Sequence, residues 1–314
     1  MNVSSDFEAI VKAYELSGND VNLLKNDSVA SLVVSGNQVL TKNEIPGVHM
    51  RSEQLEHGVR VWLKVDPGTV VKYPIHLCFG VIPAEGLQEI ISNYDIGDGA
   101  TVEFLSHCSF PNAVRVTHIM EATVKVGADA SMHYSEVHYH GPQGGVVTRP
   151  KTRATVSPGG KFLSNFKMIE GKVGVLEIDF EADLAARAVG EFTTKAYGKA
   201  QDIIKAREVL YLRGDEARGL TKTNVVVVGE ARSDVYTEMH GLAPHTRGHM
   251  DCTEIIGDRA VARNMPLVLV TDHTAKVTHE AAIGSVDRKQ VETLMARGLT
   301  EDEAVEVVVK GLLR

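Results

Sequence analysis

Three short stretches of the chain carry side chains able to do chemistry. HYSEVHYH, residues 133–140, places His138 and His140 two positions apart. On a strand both point to one side, the spacing that small β-barrel metalloenzymes of the cupin type use for iron or manganese. Glu136 shares that face, so Glu136, His138 and His140 form one candidate ligand set. The sequence then runs Gly141-Pro142-Gln143-Gly144-Gly145 and lacks the further glutamate such sites need. The second stretch is a histidine-rich tail of His240, His245, His249, Cys252, His273 and His279. Cys252 is its only thiol, and a thiolate is the strongest soft-metal ligand of the group. The third is VTHEAAIGSVD, residues 277–287, where His279-Glu280 looks like the start of an HExxH zinc helix. The fifth position is Ile283, and the segment follows a strand and runs into Gly284, so the protease motif fails in residue and in context.

Other chemistries are excluded more simply. No GxxxxGK[ST] loop occurs, so the chain itself is expected to bind no nucleotide, and no Ser-His-Asp or GxSxG arrangement stands out. No catalytic residue is expected. The three cysteines, Cys78, Cys108 and Cys252, are far apart and form no CxxC. A four-thiolate iron–sulfur or zinc site within one chain is therefore impossible; histidine, carboxylate or a second subunit would have to contribute. An odd thiol count and an N-terminus without a basic n-region suggest reduced cysteines in the cytoplasm. The net charge of −8 argues against nucleic acid, and no apolar run is long enough to span a membrane.

The elements that must position these residues are mostly strands. GVRVWLKVDPGTVV alternates Val59, Val61, Leu63 and Val65 toward a core, while VVVV (225–228) and LVLV (267–270) read as strands buried on both faces. Turn segments beginning at Ile96, Val126 and Val156 repeat every 30 residues (126 − 96; 156 − 126), and related turns begin at Leu184, Arg213, Val228 and Ile256. A fixed period with tight turns and few helices is the signature of a parallel β-helix, with a β-sandwich as the competing architecture. Scarce aromatics and abundant Val, Ala and Gly favour stacked small side chains over bulky anchors. A solenoid needs covered ends. An N-terminal helix with Ser5 and Glu8 at capping-box spacing, an apolar face of Phe7, Ile10, Val11 and Tyr14, and a stop at Gly18 could cover one. At the other, Asp287 opens a helix carrying Val291, Leu294 and Met295, and Thr300 with Glu303 opens another carrying Ala304, Val305, Val308, Val309 and Leu312. These stripes could pack on the β-helix or dock a partner.

The segment from His245 to Leu313 resembles the SufB/SufD family of iron–sulfur cluster assembly proteins. The elements are Ile256-Gly257-Asp258, a strand led by Pro266, His279-Glu280-Ala281, Gly284, Asp287 and Arg297-Gly298. The resemblance is close over 240–314 and weaker through the middle of the chain. It implies a mainly β fold, a right-handed parallel β-helix with a short N-terminal helix and a C-terminal helical hairpin, divided at 1–27, 28–284 and 285–314. It further implies pairing through the β-helices, as a homodimer or a SufB/SufD-type heterodimer. The C-terminal helices would dock a SufC-like ABC ATPase through Val291, Leu294, Met295, Val305, Val308 and Leu312, and a transient iron–sulfur cluster would be built on the assembly. Cys252, His279 and Glu280 are the expected cluster ligands, His279 matching the family's interface histidine. The chain departs from the family where SufB-type members carry cysteine, at Ala260 and near Val156, and where SufD-type members carry glycine, at Glu280. Two other readings remain: a cupin-like metal enzyme using Glu136, His138 and His140, and a structural partner of the ATPase that holds no cluster.

Overall fold

The computed structural model describes residues 3–16 and 26–313. It begins with the helix α1 (Val3–Leu16), so Ser5 lies inside the helix rather than ahead of it, and the stop expected at Gly18 falls outside the described residues. The strands that follow are β1 (Ser31–Ser35), β2 (Gln38–Asn43), β3 (Val48–Gln54), β4 (Gly58–Val65), β5 (Ile75–Gly80) and β6 (Glu85–Ile96). Next come β7 (Thr101–Phe110), β8 (Arg115–Val126), β9 (Ser131–His140), β10 (Val146–Val156), β11 (Lys161–Glu170) and β12 (Val175–Leu184). The last are β13 (Val189–Gly198), β14 (Ile203–Leu212), β15 (Arg218–Val227), β16 (Arg232–Gly241), β17 (Arg247–Ile256), β18 (Val261–Val270) and β19 (Lys276–Gly284). Two helices close the chain, α2 (Arg288–Met295) and α3 (Glu301–Leu312).

From β4 onward consecutive strands fall in opposite sheets, so the chain winds between a ten-stranded and a nine-stranded sheet. Among the described strands, pairing is antiparallel in β1–β2 and β3–β4 and parallel along the rest of both sheets. The register supplies the period. Thr101 stands opposite Ser131, a step of 30 (131 − 101). Later coils tighten to 29, with Arg218 opposite Arg247 (247 − 218). This is a β-solenoid rather than a sandwich or a closed barrel, and a cupin-like enzyme therefore loses its scaffold.

Alternation along each strand sends every second residue between the sheets. The inner face is built on bulky anchors after all: seven of the eight phenylalanines sit there, stacked at centroid distances such as 6.2 Å for Phe162 and Phe192. Sheets about 10 Å apart need side chains of that size to fill the gap. Small residues line the corners instead. At one corner Gly99, Asp129, Gly159, Arg187, Glu216 and His245 all take left-handed backbone angles. Just past them the buried Ala100, Ala130, Ala188 and Ala217 let the chain turn inward. Each turn donates to the next, as Asp129 N–H does to Pro158 C=O at 3.0 Å and Arg187 N–H to Asp215 C=O at 2.8 Å. The turns at Val228 and Ile256 belong to the opposite corner, where Ala200, Gly229 and Asp258 are left-handed. Similar turn chemistry at two corners explains why they read as one repeat.

Helices cover faces rather than ends. In α1, Ile10 and Phe7 pack on Val33 and Cys78, which face outward from the ten-stranded sheet. Further along, Val305, Val309 and Leu312 of α3 meet Val226, Tyr197 and Ile255 on the outside of the same sheet. Both C-terminal caps form as the sequence predicts: the Asp287 carboxylate accepts from Lys289 N–H, and Thr300 and Glu303 make a capping box. The far end of the solenoid is left bare. There β18 and β19 are the edge strands of the two sheets. Leu267, Val268, Leu269 and Val270, expected to be buried on both faces, are each about 40% exposed (39–43%) because no further coil follows.

Candidate functional site

The middle of the solenoid gathers the histidines of the first stretch. The pattern of β9 buries Glu136, His138 and His140 on the inner face, as their spacing requires. Glu136 Oε1 lies 2.6 Å from His138 Nε2, so this carboxylate is engaged by the imidazole instead of standing beside it as a free ligand. His140 donates through Nδ1 to the carbonyls of Lys172 and Val173 at 3.1 and 3.2 Å. Two residues that the sequence spacing did not single out complete the group. Cys108 on β7 is the register partner of His138, and His118 on β8 reaches in from the other sheet with its ring centroid 5.8 Å from that of His138. Phe110 and Phe166 wall the group, 4.8 Å from His118 and 5.0 Å from His138. The signal for Cys108 was present in the 30-residue period, which sets it directly on His138 (138 − 108).

Burial controls the electrostatics here. It pushes the Cys108 thiol well above its ordinary range, with the Glu136 carboxylate adding to the shift. Burial also drives His118 well below its ordinary value and His140 down to about 3, in both cases with His138 nearby as a further cause. His118 and His140 are therefore neutral imidazoles at physiological pH, with lone pairs available to an electrophile.

The tail residues are placed differently. Cys252 lies buried on the inner face of β17, its Sγ 3.6 Å from Thr237 Oγ1. Burial raises its thiol pKa, against the hydrogen bond from Thr237. Beyond it, Glu208 accepts from Thr194 at 2.5 Å and Thr223 at 2.6 Å, so a polar string runs through this part of the core. His279 and Glu280 are exposed on β19. His279 stands opposite the buried Met250 and Ala281 opposite Cys252, so His279 shares the inner face with Cys252. Glu280 stands opposite Asp251 and points outward. Neighbouring side chains leave a strand on opposite faces, so one site reaches both only across the strand edge. Among the described residues, the group of metal-competent atoms that forms within one chain is Cys108, His118 and His138, not Cys252, His279 and Glu280.

The helical stripes are divided in use. Val291 is buried, and Val305 and Leu312 pack on the chain's own sheet. Leu294 and Val308, with Ile255, Ile283 and Ala282, line an apolar groove of about 870 Å³ between the helices and the end of β17 and β19. Val307, at the border of the groove, is 48% exposed, and Met295, outside it, is 36% exposed. Among the described residues no helix is long and apolar enough to cross a membrane.

A parallel two-sheet solenoid with an inner thiol–imidazole group and a bare C-terminal end defines the structural class. Comparison with known proteins gives the family. The family model described as SUF system FeS cluster assembly, SufBD core domain, matches residues 92–312. An iron–sulfur cluster assembly SufBD family protein of Methanocaldococcus jannaschii is 33% identical over 314 residues, covering 100% of this chain and 99% of the relative. One of Pyrococcus horikoshii is 34% identical over 313 residues, covering 100% of this chain and 95% of the relative. A more distant relative from Archaeoglobus fulgidus is 23% identical over 79% of this chain and 66% of its own length. The chain belongs to the SufBD family, whose business is iron–sulfur cluster assembly.

Proposed function

We propose that the chain is a non-catalytic scaffold of a SUF-type assembly complex, on which iron and sulfide are the cargo. Two copies pair through their bare solenoid ends, and a SufC-like ABC ATPase docks on the C-terminal helices. The observation that carries this reading is the end formed by β18 and β19. Among the described residues both sheets stop there with unpaired edges, and nothing covers Val268 and Val270, which continue the inner face. An edge of this kind templates pairing with another chain, and a second copy offers the same edge in return. The proposed cluster ligands are His279 and Cys252 from each copy, with Glu280 available to a cluster seated at the strand edge itself.

The docking half of the proposal is tested on residues that the chain does not use for its own packing. Met295→Asp and Val307→Asp each place a carboxylate on an outward helical position and should leave the fold intact. Co-expression with a SufC-like ATPase and affinity capture should recover a complex with the unaltered chain. Affinity should fall at least tenfold in the double variant, about 1.4 kcal/mol or more. Unchanged capture would remove the helices as the docking surface.

A further inference from the structure

A set of donors inside the solenoid is left unused by pairing or docking. Cys108, His118 and His138 come from three consecutive strands, each at most 1% exposed, with one Sγ and two ring nitrogens all within 4.8 Å of one another. Several observations separate this group from incidental polar burial. Neither ring nitrogen of His118 has a hydrogen-bond partner, and neither does Nδ1 of His138. A buried polar atom left so costs about 1–3 kcal/mol. Glu136 holds His138 through Nε2, which leaves the lone pair of Nδ1 for a ligand; a carboxylate behind an imidazole is how metal-binding histidines are oriented. Met120 adds a thioether, its Sδ 3.6 Å from Cys108 Sγ.

We propose that Cys108, His118 and His138 bind one metal ion of the class that prefers thiolate and imidazole, with Zn²⁺ as the reference case, Met120 as a weak fourth donor and Glu136 as the positioning residue. A tetrahedral ion with bonds of about 2.0–2.3 Å keeps its donors roughly 3.3–3.8 Å apart, so the group closes by about an ångström on binding. Binding displaces the thiol proton of Cys108, and any proton on the ligating ring nitrogens, to solvent, so that each imidazole ligates through a lone pair. The charges then balance within the core: the divalent ion against one thiolate and the Glu136 carboxylate. Such balance is what a low-dielectric interior demands of an ion. The ion would tie β7 and β9 of one sheet to β8 of the other and fix the spacing of the coil between them. This site is independent of the solenoid end and stands whether or not a cluster forms there.

Cobalt is the probe, because thiolate ligation gives Co²⁺ a visible charge-transfer band. The chain is produced in cobalt-supplemented medium and purified anaerobically without chelator. The expected result is about one cobalt per chain, a tetrahedral ligand-field spectrum with the thiolate band, and a higher thermal midpoint than the metal-free protein. Cys108→Ala should lose the band and the stabilisation, and His118→Leu should lower cobalt retention at least tenfold. Cys78→Ala, which alters a thiol outside the core beneath α1, should retain both. Circular dichroism confirms that each variant is folded. A chain that holds no cobalt, or a thiolate band that survives Cys108→Ala, would overturn the proposal.

Discussion

Acidifying the metal-free protein from pH 6.5 to pH 4.5 is expected to unfold it. Burial lowers His107 to about 4 and His140 to about 3, and holds His118 well below its ordinary value. A histidine with a depressed folded pKa contributes stability that is complete above its unfolded pKa and is lost as pH falls toward the folded value. Burial lowers His76 as well, so in this window the unfolded chain takes up three to four protons that the folded chain refuses. Two groups work the other way. Burial raises Glu208 and Glu254, so the folded chain takes up as many as two protons there that the unfolded chain does not. The net difference of one to four protons gives a slope of about 1.4–5.5 kcal/mol per pH unit. Over two units this reaches roughly 3–11 kcal/mol, comparable with the whole stability of a typical domain. Denaturant midpoints measured at pH 7, 6 and 5 should fall steeply, and His118→Leu should flatten the slope by about one proton, roughly 1.4 kcal/mol per pH unit. A flat profile would show that these imidazoles are not held neutral.

The second large effect is expected at the bare end. Val268→Asp sets a carboxylate on the inner face of β18, where the wild-type side chain is 39% exposed, so the single chain tolerates it. Within a paired interface the same carboxylate is buried without a partner. The cost is about 3–5 kcal/mol, roughly a hundred- to several-thousand-fold in the dissociation constant. Light scattering should find the unaltered chain as a dimer and the variant as a folded monomer. Val114→Asp, at an exposed valine away from this end, should remain dimeric. A dimer that persists in Val268→Asp would move the interface elsewhere.

Much of the scaffold is legible in the amino-acid order itself. The 30-residue period, the inward alternation from Val59 to Val65, and the caps at Asp287 and Thr300 all depend on local spacing, and all are found. Spacing does not show exposure, which depends on what lies beyond the next coil. LVLV at 267–270 has the composition of a doubly buried strand and lacks a covering coil. The His279-Glu280 pair is adjacent in sequence and split across two faces of β19. Cys108, His118 and His138 share no motif at all, being assembled from both sheets. The register places residue 108 on residue 138, and His118 joins them from the facing sheet.

Anaerobic reconstitution distinguishes a cluster assembled where two chains meet from one that does not need the interface. The chain carrying Cys108→Ala, so that the interior group contributes no thiolate, is incubated with ferrous iron and sulfide and resolved by size. Iron and acid-labile sulfide should elute together with the dimer, with a visible charge-transfer spectrum that is lost in His279→Ala and in Val268→Asp. A dimer that takes up neither iron nor sulfide, or a spectrum carried equally by the Val268→Asp monomer, would rule out a cluster at the interface.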